Sequence, residues 1–188
     1  TLAKDALKEL PAKSPDGLKH LLEELVEVMS DEDRDYFSPA LLAQVAQSQW
    51  DLSQNRKPGQ PKLRVYTVED SETCARSTFI DIVSDDLAFL VDSVAAEINR
   101  NSFLIDLLLH PILHAKYDGK GKLTDTALKE KKGYIRQSHI HVQIKDIPPP
   151  DSLKELEEGL LETLEDVQAA NVDWPEMLEE LKKSRVDL

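Results

Sequence analysis

Apolar residues recur along this chain in two periods, and the change from one to the other marks its best-defined unit. In Thr78 to Val83, Ile80 and Ile82 alternate with Phe79, Asp81 and Val83 in the two-residue period of a strand. From Leu87 the spacing changes. Leu87, Leu90, Val91, Val94, Ala95 and Ile98 form one helical stripe, with Asp92, Glu97, Asn99 and Arg100 off it. Ser84, Asp85 and Asp86 lie between the two and are expected to cap the helix, because its first amides need acceptors. The unit reads as strand, acidic turn and amphipathic helix.

Upstream the pattern is helical. Thr1 to Leu10 reads as a short helix stopped by Pro11, and Ser14 with Pro15 opens a second with Leu18, Leu21, Leu22, Leu25, Val26 and Met29 on one face. Ser30 with Asp31 to Asp33 starts another turn, and Ser38 with Pro39 repeats the cap signal before Leu41, Leu42, Val45, Ala46 and Trp50. The Lys57 to Lys62 stretch, KPGQPK, breaks the helices. A strand with Leu63, Val65 and Thr67 on one face follows at Lys62 to Val68, and Asp70 to Arg76 is a polar connection.

Downstream, Leu104 to Tyr117 reads as one long strand. Ile105, Leu107, Leu109, Leu113, Ala115 and Tyr117 share a face, and Asp106, His110, His114 and Lys116 share the other. Pro111 has no amide hydrogen, so an edge position or a bulge is expected there. Asp118 to Gly121 is a turn and Lys122 to Lys132 a polar excursion. Gly133 to Lys145 returns as a strand with Tyr134, Ile140, Val142 and Ile144 inward and Gln137, His139, His141 and Gln143 opposite. Pro148 to Pro150 ends the sheet. Ser152 caps a helix carrying Leu153, Leu156, Leu160, Leu161, Leu164 and Val167, and Asp173 to Pro175 opens a further short helix to Ser184.

The expected fold class is α+β: a mostly antiparallel sheet with helices on one face, preceded by a helical amino-terminal segment. The expected division is a helical segment at 1–57, the α+β domain at 62–170 and a helical extension at 171–188. Only Leu63 to Val68 is free to act as the sheet's fourth strand, because no strand pattern follows Ser152.

Charge narrows the partners. Acidic residues outnumber basic ones 36 to 23, for a net charge of −13, and no basic cluster offsets it, so nucleic acid is not an expected partner. No apolar run approaches the ~20 residues of a membrane span, and the amino terminus has no signal-peptide pattern. Cys74 is the single cysteine and has no internal disulfide partner. These features fit a reducing, cytoplasmic setting. Starting at Thr1 and ending in charged helical sequence, the chain reads as part of a longer polypeptide.

The chemistry-bearing residues are few. Gly119 and Gly121 sit in a turn between strands and lack the third glycine of a dinucleotide cradle, so they read as a hairpin turn. If the two long strands pair, His110, His114, His139 and His141 are expected on the face away from the core, as sheet-face or interface residues, with a metal site as the sharper alternative. Asp85 and Asp86 read as helix caps, with ligand contact the alternative. Phe89 lies off the apolar stripe, and packing against the amino-terminal helices or cover by another domain would each account for it.

Longer stretches carry a resemblance. DDLAFLVDSV (Asp85 to Val94), HPIL (His110 to Leu113) and SHIHVQI (Ser138 to Ile144) resemble the amino-terminal region of the large bacterial NAD-specific glutamate dehydrogenases. Asp35 to Arg64, with YFSP, Trp50 and RKPGQPKLRV, is similar to the leading segment of that family. The order of elements and the turn at Asp86 to Leu90 resemble ACT-type regulatory domains, with Ala88 and Phe89 standing where that turn has proline and glycine.

The resemblance implies an ACT-like (ferredoxin-like) fold and a non-catalytic regulatory or assembly domain. Oxidation of glutamate to 2-oxoglutarate would then belong to domains outside this chain, with NAD as the parent enzyme's cofactor and none bound in this segment. Expected partners are other domains of the same polypeptide and further copies in a homo-oligomer, with an amino acid as candidate effector, and neither nucleic acid nor membrane. Asp85, Asp86, Leu87, Ala88 and Phe89 are the expected ligand or domain contact, and the four strand histidines come second. No residue is assigned to catalysis or metal. A ligand-free interaction module and a histidine-based metal-dependent enzyme stay open as alternatives.

Overall fold

A computed structural model describes residues 1–69, 76–145 and 147–186, with 173–186 described as helix backbone. Cys74 and most of the polar connection containing it lie outside the described residues.

Four helices open the chain: α1 (Leu2–Glu9), α2 (Asp16–Glu27), α3 (Asp31–Tyr36) and α4 (Pro39–Ser53). Their starts follow the cap signals. Ser30 and Asp33 form a reciprocal capping box at α3, and the Leu41 amide donates to Ser38 Oγ at 3.1 Å at α4. Next come β1 (Lys62–Glu69), β2 (Arg76–Asp85), α5 (Leu90–Arg100), β3 (Ile105–Leu109), β4 (Ile112–Tyr117), β5 (Leu123–Ala127), β6 (Ile135–Ile144) and α6 (Pro150–Val186).

The strands form a six-stranded antiparallel sheet in the order β1-β2-β6-β4-β5, with β3 also on β6. The fold is therefore α+β, as the periodicity indicates. β1 supplies the strand that the carboxy-terminal region lacks.

Three boundaries differ from the pattern. β5 forms within the stretch expected to be a polar excursion, where Leu123 is buried and the exposed Thr124 and Asp125 give the edge its polar character. β3 and β4 keep one register against β6 across Pro111, whose carbonyl accepts from the His139 amide at 3.0 Å. The register shifts lie between Ile105 and Leu107 and between Lys116 and Tyr117 instead. Finally, α6 runs unbroken to Val186, so the expected second helix at Asp173 is a continuation.

The sheet is covered on both sides. α5 and α6 pack Leu90, Val94, Ile98, Leu156, Leu160 and Leu164 against Ile80, Ile82, Ile140, Val142 and Ile144. On the opposite face α1 to α4 pack Leu18, Leu21, Leu22, Leu25, Leu42 and Val45 with Phe79, Leu107, Leu109 and Leu113. The helices of the ACT-like unit share one face, and the amino-terminal segment closes the other.

The register explains this double cover. Leu109 lies opposite His141 and Leu107 opposite Gln143, so the apolar face of β3 and β4 shares a side with the polar face of β6. Each side of the sheet is thus partly apolar and needs its own layer.

Candidate functional site at the β2 to α5 turn

Strand β2 is buried along nearly its whole length and delivers Asp85 to the end of the sheet. The carboxylate of Asp85 pairs with the buried guanidinium of Arg56 at 2.8 Å and accepts from the Gly59 amide at 2.8 Å. Asp86 pairs with Arg136 at 2.8 Å, and its amide donates to the Arg136 carbonyl. Neither carboxylate caps α5, contrary to the sequence expectation. Two arginines reach them from elements distant in sequence, and the helix starts later than expected, at Leu90.

The position before α5 belongs to Phe89, with φ 65° and ψ 5°. This is the left-handed region, which disfavours a residue with a Cβ and suits glycine. The turn keeps the backbone shape of a glycine turn although a phenylalanine occupies it. Phe89 is 66% exposed, so neither the preceding turn nor the amino-terminal helices cover it. Leu87 packs at the margin of the α5–α6 core.

A contact absent from the sequence reading closes this turn. The Asn171 carboxamide on α6 accepts from the Ala88 amide and donates to the Ala88 carbonyl, each at 3.1 Å. Both backbone polar groups of Ala88 are thereby paired from within the chain. Val172, next along α6, is 64% exposed, so an apolar corner flanks the turn.

Arg56 links the turn to a buried polar layer beneath α4. It donates to Gln137 Oε1 at 3.1 Å, and Tyr117 donates to the same oxygen. With Oε1 so occupied, Gln137 presents Nε2 to His139 Nε2 at 2.9 Å, and His139 Nδ1 faces Gln49 Oε1 at 3.2 Å. That arrangement selects the neutral imidazole with its proton on Nδ1. Burial first, and the Arg56 charge second, pull the His139 pKa down to about 3.

The layer continues to Asp81, fully buried, which accepts from Ser48, from Gln49 Nε2 at 2.9 Å and from His141 Nδ1 at 2.7 Å. Gln49 also donates to the Ile140 carbonyl at 2.7 Å, which stitches α4 to the sheet. Burial, then the Asp81 charge, raises the Tyr66 phenol well above its usual range.

The four strand histidines do not share a face. His139 and His141 point toward α4 and are fully enclosed, whereas His110 bonds Ser138 on the α5–α6 side, with burial lowering its pKa. His114 alternates with Leu113 and so also faces away from α4. The open histidine face inferred from the alternation is therefore not formed: the strand register separates the pairs, and α4 covers one of them. Among the described residues no group of three or more metal-ligating side chains converges.

Sequence reasoning missed Arg56, Asp81 and Asn171 as site-forming residues. Gln49 was the available signal, a polar residue at the helical spacing of Leu42, Val45 and Ala46, with Ser48 beside it. They mark where that helix crosses polar sheet positions.

An antiparallel α+β sheet with a glycine-type turn leading into a helix fits an ACT-type domain. Residues 21–160 match the family described as glutamate dehydrogenase, ACT1 domain, and the chain belongs to that family. A Halomonas elongata protein named NAD-specific glutamate dehydrogenase is 32% identical over 149 residues, covering 73% of this chain and 9% of the relative. A Pseudomonas aeruginosa protein of the same name is 30% identical over 134 residues, covering 69% of this chain and 8% of the relative. The chain thus spans less than a tenth of the length of these curated relatives. No solved structure gives a significant match. No helix among the described residues is long and apolar enough to cross a membrane.

Proposed function

We propose that this chain is a non-catalytic regulatory or assembly domain of a large NAD-specific glutamate dehydrogenase, acting from a cytoplasmic polypeptide whose remaining domains bind NAD and turn over glutamate. The observation that carries this reading is the match of an ACT1 domain to under a tenth of each relative so named. The paired carboxylates and the dyad of His141 and Asp81 are held in ion pairs or enclosed, which suits structural work. The Asp85 to Phe89 turn docks a neighbouring domain, or an amino-acid effector at its edge, and shifts the state of the distant catalytic centre. His139 is joined to the turn through Gln137 and Arg56.

A second reading, an interaction module without a small ligand, is favoured by the Asn171 clamp. That clamp already occupies the Ala88 amide and bonds its carbonyl. Thermal-shift measurements with the amino acids separate the two, because a ligand that binds only the folded chain raises the melting temperature. A rise with one amino acid, lost in Phe89→Asp, supports the effector. No rise with any of them supports the module. Glutamate-dependent NAD reduction by the isolated chain would overturn both.

A further inference from the structure

The sheet has an edge that the proposed regulatory role does not use. β3 pairs with β6 on one side, and among the described residues no backbone group bonds to its other side. Antiparallel pairing alternates inward and outward backbone groups. The bond from His139 to the Pro111 carbonyl fixes the phase, so Leu107 and Leu109 address β6. Leu108 and His110 then direct their amides and carbonyls outward.

Exposed strand edges are ordinarily blunted by charge, and β1 has exposed Lys62 and Arg64 on its edge while β5 has Asp125. β3 reads Ile-Asp-Leu-Leu-Leu, with Asp106 its one charge, and Leu104 before it is 60% exposed. Beside this strand lies a groove of about 140 Å³ lined by Glu32, Asp33, Tyr36, Asp106 and Leu107. No cation lines it. Arg34, on the same helix as Glu32 and Asp33, is held by Asp31 at 3.2 Å and by the Val26 carbonyl.

We infer that β3 is a docking edge for an extended, basic peptide segment of a partner protein. The segment adds a strand through the outward backbone groups of Leu108 and His110, and it sets lysine or arginine side chains over Glu32, Asp33 and Asp106. Charge decides the occupant. A second copy of this chain would bring another −13 and a second acidic groove to the contact, whereas a basic segment neutralises it. This inference is independent of the regulatory role proposed above.

The test uses the whole chain and a blocked, alternating lysine–valine hexapeptide, with a lysine–proline hexapeptide of equal charge that cannot pair as a strand. Expected are a one-to-one complex with the lysine–valine peptide, slowed amide exchange at Leu108 and His110, and at least about tenfold weaker binding by Asp106→Lys, a change of about 1.4 kcal/mol. Leu108→Pro removes an outward donor without cutting a bond to β6, and it should abolish the exchange effect. Asp106→Lys alters an exposed side chain, so it keeps the test decisive even where Leu108→Pro unfolds the sheet. Equal binding of the two peptides, or no protection at Leu108 and His110, overturns the inference. Protection without peptide in a dimeric chain also overturns it, by showing that a second copy occupies the edge.

Discussion

Phe89 holds a left-handed backbone at φ 65° while the residue is 66% exposed, so the strain is not offset by burial within the chain. Relief of such a conformation is worth roughly 1 kcal/mol. Phe89→Gly is therefore expected to stabilise the isolated chain by about 1 kcal/mol and to raise its melting temperature by about 3 °C. A fall in melting temperature would show that the ring contributes to the fold. His139 presents the opposite situation, a group enclosed in one protonation state. Its folded pKa of about 3 lies below the ordinary 6.5, so the unfolded chain takes up a proton that the folded one refuses. The stability due to neutral His139 is present above pH 6.5 and lost as pH falls toward 3. Urea titrations across that window should show His139→Gln with a dependence shallower by about 1.4 kcal/mol per pH unit.

At the scale of elements, close approach overrides intrinsic preference. Gly17 lies in the first turn of α2, where alanine is the better helix former by about 1 kcal/mol. A Cβ there would stand 2.4 Å from the Trp50 ring and 2.5 Å from Thr126 Oγ1, which join α2 to α4 and β5. Gly17→Ala is expected to destabilise by about 1–3 kcal/mol through overpacking, measured by chemical denaturation, and a gain in stability would show that Trp50 moves freely. The start of α5 follows the same logic. Its apolar stripe is legible from Leu87, but the helix begins at Leu90, because Arg56 and Arg136 draw Asp85 and Asp86 away from its first turn. Those arginines come from distant stretches, and no local pattern announces them.

Across the whole molecule the amino-terminal helices are structural partners of the sheet. They bury Phe79, Leu107, Leu109 and Leu113 and supply Ser48 and Gln49 to the polar layer, to which the stretch after α4 adds Arg56. Removing residues 1–57 would leave Asp81 and His141 without their helix partners and expose one apolar face. Such a chain is expected to lose its cooperative unfolding transition and bind hydrophobic dye, read by calorimetry and fluorescence. A sharp transition in the truncated chain would show that the sheet and α5–α6 stand alone.

The local periods determined much of this protein. They marked the helical stretches, four strand segments of which one covers both β3 and β4, the antiparallel α+β class and the turn at Asp85 to Phe89, since each depends on neighbours within a few residues. The wording of that turn and of SHIHVQI also pointed to the family. Tertiary structure alone decided which faces meet. Two strands with clean apolar and polar sides can pair in either of two parities, and a one-residue shift exchanges every side chain between faces. The observed register sets Leu109 beside His141, parts the four histidines and calls for a helix layer on both sides of the sheet. The Arg56 pairing, the Asn171 clamp and the left-handed Phe89 follow from contacts across the fold, and so the turn that the sequence located acquired its chemistry only when the chain closed around it.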